Sequence, residues 1–445
     1  MPNAPDSLSP AVRRPLVGPA ITFGFATALA MWTVGYALHI PEDPAIPGPV
    51  IAAALVALLL VGGVCIGRWV PRADALTIGL GAGLVTSLIN LMILGSILSA
   101  EDDPEAGLRS NAAMWVAGWI VFGTALMCIS AVATSRITGG LPESRRADAD
   151  RWLARFGIVA AVSVLLILPV GGIVTSTETG MAVPDWPTSE GFNMFLYPLS
   201  RMTGGLLYEH AHRLFGALVG LTTMTLMIYA LAVDRRRWLK GAVVGAFVLV
   251  VIQGIMGGYR VEWDNTALRI VHGFTAQIFF AFMCAIAAFL SLTWRSDKPA
   301  ASTRAAGAIR GFAWALVAAM ALQILIGATG RHMGQHLHAL LSHAVFSIVP
   351  LVLAIGVGVR LKTAYRDIPH LRIVGAGLMH GVGLQMVLGG LALWIVLTHR
   401  GEYPLIRVAM ATSHQVLGAI LFGLSALAVA WTHRLLTREA RAEGA

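Results

Sequence analysis

Apolar runs of roughly 20 residues, separated by short polar joints, recur from one end of the chain to the other. This pattern constrains the fold more than any other feature. A helix of that length crosses a hydrocarbon core about 30 Å thick, and a soluble protein could not hide so much apolar surface. Of the 445 residues, 57% are hydrophobic and only 12% charged, so an all-α polytopic membrane protein in a lipid bilayer is expected. About twelve helices should begin near Leu16, Pro49, Leu76, Ala112, Leu153, Gly205, Gly241, Thr266, Gly311, His336, Ile373 and Leu405.

Charge sets the expected orientation. The joint Ser135–Trp152 carries Arg136, Arg145, Arg146 and Arg151, and basic clusters recur at 235–240, 295–304, 360–372 and after His433. These are alternate joints, so the positive-inside rule places them and both termini in the cytoplasm. Pro-rich or acidic joints such as Pro41–Pro47 and Ala100–Glu105 then face outward. The net charge of +9 is spread over joints instead of forming a patch, which sets nucleic acid aside as a partner. Met1–Pro10 has neither a signal-peptide core nor an Arg-rich amphipathic pattern, so no cleaved leader is expected and a bacterial plasma membrane is the simplest address. Cys65, Cys128 and Cys284 lie inside apolar runs, where a thiol behaves as a small apolar residue; neither a disulfide nor a thiolate metal site is indicated.

From about Trp152 the chain reads as two copies of one four-helix unit, expected at 151–298 and 299–445. Gln253-Gly254-Ile255-Met256-Gly257-Gly258 precedes His272, and Gln385-Met386-Val387-Leu388-Gly389-Gly390 precedes His414. The preceding helices also pair off, with Gly171-Gly172 before His212 and Gln323 and Gly327 before His343. Residues 1–150, with four spans, belong to neither copy and contain His39 and an intramembrane Asn90. Internal duplication in one orientation is a common way to build a membrane bundle around a central site.

His212, His272, His343 and His414 each fall seven to nine residues into a helix entering from the outer face, roughly 10 to 14 Å deep at 1.5 Å per residue. Intramembrane histidines are costly and mark functional sites by default. A single one could be a packing residue bonded to a neighbouring carbonyl or Gln, but four at one level, two per repeat, argue for ligation. Two facing imidazoles suit a heme iron inside a helical bundle, whereas a bare zinc or copper ion would want further ligands in the same layer. One pair per unit implies two hemes. The glycines at 171, 172, 257, 258, 327, 389 and 390 fit close approach to a flat macrocycle, and equally fit ordinary small-residue helix packing.

Three further stretches carry a family resemblance: Gly171 to Gly180 (GGIVTSTETG), Pro184-Asp185-Trp186-Pro187, and Glu209-His210-Ala211-His212-Arg213-Leu214-Phe215-Gly216. Together with the later histidines they resemble the heme A synthases, the Cox15/CtaA family, over about residues 152–434. The resemblance implies eight helices in two pseudo-symmetric bundles. The first would bind the substrate heme O between His212 and His272, and the second would hold a heme b cofactor between His343 and His414. It implies oxidation of a heme O methyl group to a formyl group, through hydroxylated intermediates, giving heme A for a terminal oxidase. A farnesyltransferase that makes heme O and a membrane electron acceptor such as a quinone are implied partners, and Glu209 matches the family's catalytic carboxylate.

Glu209 and His212 are three apart and share a helix face, with Glu209 one turn nearer the outer surface. There a carboxylate could take the proton of an attacking water. Alternatively Glu209 forms an i,i+4 ion pair with Arg213, while Arg213 could contact a heme propionate. Leu340 stands where the second copy would need a carboxylate, an asymmetry that puts the chemistry in the first unit. Two departures from the family stand out: the outer loop has no cysteine, with Val183 preceding Pro184, and the four-span extension has no counterpart in the family core. His332, His336 and His338 cluster at an outer helix entrance as candidate copper or propionate contacts, or simply solvated residues. His210 and His399 fall near the outer surface, and His380 lies inside a span. Gln253, Gln323 and Gln385 are expected to satisfy interhelical hydrogen bonds or to sit at a heme rim. The competing functions are a di-heme b-type electron carrier and a heme-binding assembly or handover protein.

Overall fold

The computed structural model describes residues 16–41, 45–99, 107–145, 147–296, 299–399 and 405–438. The stretch Met1–Pro10, part of the Pro41–Pro47 joint, the joint Ala100–Glu105, Arg146 and the residues beyond 438 lie outside the described residues. The apolar runs are helices: α1 (Val17–His39), α2 (Gly48–Trp69), α3 (Ala75–Leu98), α4 (Ala112–Thr138), α5 (Ala149–Ser176), α6 (Gly204–Val233), α7 (Arg237–Glu262) and α8 (Thr266–Leu290). A short α9 (Leu292–Arg295) leads to α10 (Ala306–His332), α11 (Leu337–Phe346), α12 (Ile348–Ala364), α13 (Pro369–Thr398) and α14 (Leu405–Leu435). Counting α11 and α12 as one segment, 12 are long and apolar enough to cross a membrane. Each expected start falls within five residues of an observed one.

Local chemistry sets several boundaries. Asp148 caps α5 by accepting from the Arg151 amide at 2.8 Å, and Asn265 caps α8 by accepting from the Leu268 amide at 2.9 Å. Pro49 and Pro369 stand in the first turns of α2 and α13, where a missing N–H costs nothing. The tenth span differs from the single helix expected: it is interrupted at Ser347, between α11 and α12. Pro350 supplies the reason, since it has no amide to donate to the Phe346 carbonyl one turn back.

The extension α1–α4 is not a detached module. Phe25, Ala28, Leu29, Trp32 and Ile89 bury in the same apolar cluster as Phe156, Phe215 and Leu218 of α5 and α6. The Trp32 indole donates to Asn90 Oδ1 at 3.0 Å and its ring meets Phe215 edge-on at 5.8 Å, so the intramembrane Asn90 anchors α3 to α1. α14 packs across α5 and α8: Thr412 packs on Gly172 of α5, and Gly423 receives Phe280 and Cys284 of α8. At the other end of the bundle, β3 (Ala301–Ser302) pairs in parallel with β4 (Leu436–Thr437), tying the α9–α10 joint to the end of α14.

Candidate functional site

The four histidines are the ninth, seventh, seventh and tenth residues of α6, α8, α11 and α14. All these helices enter from the side that carries the 177–203 loop, so the rings form one layer. The ring centroids of His212 and His272 are 6.4 Å apart, with planes at 87°; those of His343 and His414 are 6.1 Å apart, at 80°. Two metal–nitrogen bonds of about 2.0 Å plus two imidazole radii of about 1.1 Å would put ring centroids about 6.2 Å apart. Nδ1 of His212, His272 and His414 is buried without a hydrogen-bond partner.

Each ring rests on a glycine of the preceding span. A Cβ added at Gly171, Gly257, Gly327 or Gly389 would lie 2.9, 3.3, 2.7 or 2.8 Å from Cε1 of His212, His272, His343 or His414 respectively. These four glycines therefore make room for the imidazoles. The neighbouring glycines do other work: Gly172 receives Thr412, Gly258 receives the Trp186 ring, and Gly390 has nothing within 4 Å. One turn before three of the four seats stands a glutamine. Gln323 Nε2 donates to the His343 carbonyl at 2.9 Å and Gln385 Nε2 to the His414 carbonyl at 3.0 Å. Gln253 donates to Thr275 Oγ1, and Thr275 lies one turn past His272 on α8. In α5 the equivalent position is Ile167. The shared spacing follows from the helix repeat, because residues four apart lie on one face.

The 177–203 loop covers one end of the first pair. β1 (Thr188–Ser189) and β2 (Phe192–Asn193) pair antiparallel around Glu190-Gly191, both at positive φ, a two-residue hairpin turn. Asp185 accepts from the amides of Glu190 and Gly191 at 2.7 and 2.9 Å. Burial pushes the Asp185 carboxyl up, but the Gly191 amide, the Thr188 hydroxyl and the Glu190 amide outweigh it and hold the group below the usual carboxylate range. Trp186 wedges against Gly258 and tilts over Tyr259 at 6.2 Å, docking the loop on α7. Arg213 binds the loop from below: Nη1 donates to the Asp185 and Thr188 carbonyls, and Nη2 to the Val183 carbonyl and to Glu209 Oε1 at 3.0 Å. Glu209, 1% exposed, also accepts the Val183 amide on Oε2 at 2.9 Å. The i,i+4 ion pair is present, and both terminal nitrogens of Arg213 are spent on the loop and on Glu209.

Residues 154–340 match the family model COX15-CtaA, described as cytochrome oxidase assembly protein. The match covers less than half of the chain. The chain is 28% identical over 188 residues to the heme A synthase of Geobacillus kaustophilus, covering 41% of this chain and 57% of that one. It is also 28% identical over 225 residues to the heme A synthase of a Bradyrhizobium species, covering 42% and 58%. A stretch of 144 residues is 30% identical to a protoheme IX farnesyltransferase of Haloarcula marismortui, covering 32% and 30%. The chain thus spans a little under three fifths of the length of the first two relatives. The COX15-CtaA segment includes Glu209, His212, Arg213 and His272 and ends three residues before His343. Twelve spans and bacterial relatives make the chain a multi-pass integral protein of the plasma membrane.

Outside the histidine layer the placements vary. His210 lies near the outer end of α6 but is fully buried, its Nδ1 3.1 Å from Ser189 Oγ and its ring 5.0 Å from that of Tyr197, because the hairpin folds over it. His336 and His338 stack at 5.7 Å. Among the described residues no group of three or more His, Cys, Asp or Glu side chains is placed to hold a metal ion, so His332, His336 and His338 do not form a three-ligand copper site. His380 Nε2 accepts from Lys362 at 3.1 Å, and His399 gives its carbonyl to Arg407 at 3.2 Å. Spacing along the chain gave no sign of Arg260, Arg331 and Arg407, which line a cavity at the outer end of the bundle; a search for basic residues inside spans would have found them.

Proposed function

We propose that the chain is a heme A synthase, oxidising a methyl group of heme O to the formyl group of heme A for a terminal oxidase. The observation that carries this reading is the pair of histidine couples, 6.4 and 6.1 Å between centroids, each ring seated on a glycine. Both spacings leave room for an iron between two imidazoles that would hold it. In this reading residues 151–298 form the substrate unit, with His212 and His272 holding heme O. Residues 299–445 form the cofactor unit, with His343 and His414 holding heme b, and 1–150 buttress the substrate unit. Both termini lie in the cytoplasm, which puts the histidine layer in the outer leaflet.

His343 and His414 would hold heme b, which would supply one-electron chemistry there, with a membrane electron acceptor such as a quinone as the implied partner. The loop docked by Trp186 and Arg213 excludes bulk water from the first pair. Glu209 takes the proton of the water that attacks the oxidised methyl carbon. Arg213 neutralises Glu209 between turnovers and ties it to the loop, so loop movement and proton acceptance are coupled. The Gln–His carbonyl bonds hold the second pair in place. Gly327 and Gly389 give that pair its room.

A di-heme electron carrier without ring chemistry is the second reading, favoured by the commitment of both Glu209 oxygens to Arg213 and Val183. One experiment separates the two. The chain is expressed in cells that make heme O but lack their own heme A synthase, and the extracted hemes are identified by mass. Heme A is expected, with Glu209→Ala retaining heme but yielding none and His343→Ala losing the resident heme b. A folded, heme-loaded protein that yields only heme B and heme O would overturn the enzymatic reading. Normal product from Glu209→Ala would overturn the role of that residue.

A further inference from the structure

A cavity of about 510 Å³ opens at the outer end of the bundle, on the seam between the two halves. The first half contributes Arg260 and Arg269 to its wall, and the second Arg331 and Arg407. Two of these arginines have local partners: Arg269 pairs with Asp264, and Arg407 donates to the His399 carbonyl and to Gln335. The other two differ. Among the described residues neither Arg260 nor Arg331 has a carboxylate within salt-bridge range. Arg331 donates to Ser176 Oγ at 2.7 Å, and Ser176 in turn shares a hydrogen bond with Thr412 at 3.2 Å. Arg260 Nε is buried without any partner, and its guanidinium lies against Gly180 of the loop, where a Cβ would sit 3.0 Å from Nη1.

Guanidinium groups do not lose their charge in proteins. Two of them turned into one cavity at the end of an apolar bundle are therefore costly unless an anion joins them. Both stand just beyond a histidine seat, Arg260 on α7 and Arg331 on α10. Arg260 stands three residues beyond Gly257, the seat of His272, and Arg331 four beyond Gly327, the seat of His343. Each is one turn, about 5.4 Å, outward of a histidine seat, one per half. The wall carries four arginines against Glu178 on the wall and Asp264 beside Arg269, so it stays net positive, and the planar fork of each arginine matches a carboxylate.

We propose that this cavity is a carboxylate-binding vestibule in which Arg260 and Arg331, one from each half, hold the two propionate groups of a porphyrin bound at the histidine layer. The site rests on the heme reading above and adds to it a recognition element shared by the halves. It also assigns the propionates to residues other than Arg213, whose terminal nitrogens are already taken.

The test is a titration of the purified, heme-depleted full chain with heme b and with heme b dimethyl ester, followed by Soret absorbance in nanodiscs of phosphatidylcholine with or without phosphatidylglycerol. Neutralising both propionates should weaken binding by about tenfold to a hundredfold or more, the worth of at least one charge-assisted hydrogen bond. Arg260→Gln and Arg331→Gln should each weaken heme b and leave the ester nearly unchanged. Equal binding of acid and ester by the unmodified protein overturns the vestibule while leaving the heme reading intact. Failure of the unmodified protein to take up either porphyrin sinks the heme reading itself. If phosphatidylglycerol competes with heme b and abolishes the preference for acid over ester, the cavity is a lipid headgroup site and the proposal is overturned.

Discussion

Replacing Gly389 by alanine adds one methyl group at the point where α13 meets the His414 ring. The new Cβ would lie 2.8 Å from Cε1 and 3.3 Å from Nδ1. Carbon atoms pack at about 3.5 to 4.0 Å, so the ring must retreat by about 0.7 Å or the helices must part. Overpacking of that size costs about 1 to 3 kcal/mol. If His343 and His414 hold a heme as proposed, the larger effect should fall on ligation, because a displaced imidazole would no longer meet its partner. Gly390→Ala is the internal control: nothing lies within 4 Å of its Cβ, and alanine is favoured over glycine in a helix by about 1 kcal/mol. Both variants are purified in the same detergent, and their visible spectra and thermal midpoints are compared with those of the parent. Gly389→Ala should lose the low-spin, two-histidine spectrum of one heme and melt earlier, whereas Gly390→Ala should match or exceed the parent. Gly257→Ala, with its nearest contact at 3.3 Å, should be milder than Gly389→Ala. Identical behaviour of Gly389→Ala and Gly390→Ala would refute the argument that this glycine exists to seat the ring.

Other outcomes follow from the same geometry. Arg213→Ala leaves Glu209 buried without its cation and three loop carbonyls without a donor; a loss of about 3 to 5 kcal/mol is expected, read as a lower melting point and as proteolysis within 183–188, and an unchanged protease pattern would contradict it. Gln385→Leu removes one hydrogen bond to the His414 carbonyl and should cost about 0.5 to 1.5 kcal/mol, with altered absorption of the second heme, whereas Ile167→Gln should leave the spectrum unaltered. Because the Asp185 carboxyl is held below its ordinary value, its contribution is complete above the unfolded carboxylate range and is lost as pH falls through the folded value. The hairpin should therefore open in acid, below about pH 4, as seen by Trp186 fluorescence, and Asp185→Asn should remove that pH dependence.

The span pattern was legible in sequence because crossing a bilayer demands long apolar helices and little else. That demand fixed the number of helices and their starts to within five residues. It also fixed the common level of His212, His272, His343 and His414, since depth along a helix is a count of residues. Duplicated Gln and Gly positions were visible for the same reason. The interruption at Ser347 was within reach too, given Pro350, but a single proline within a long apolar run does not say whether the helix stops or bends.

Lateral relations belonged to the tertiary structure. Sequence spacing says which residues share a face of one helix; it does not say which helix that face meets. Only the fold shows that Gly171, Gly257, Gly327 and Gly389 accept imidazoles while Gly258 accepts Trp186 and Gly390 accepts nothing. Only the fold shows that Arg213 is spent on the loop, that His210 is buried under the hairpin, and that α1 shares a core with α5 and α6. The same holds for Arg260 and Arg331. They are 71 positions apart in the chain and reach one cavity because α7 and α10 both end at its wall, an arrangement set by tertiary packing and not by any local pattern.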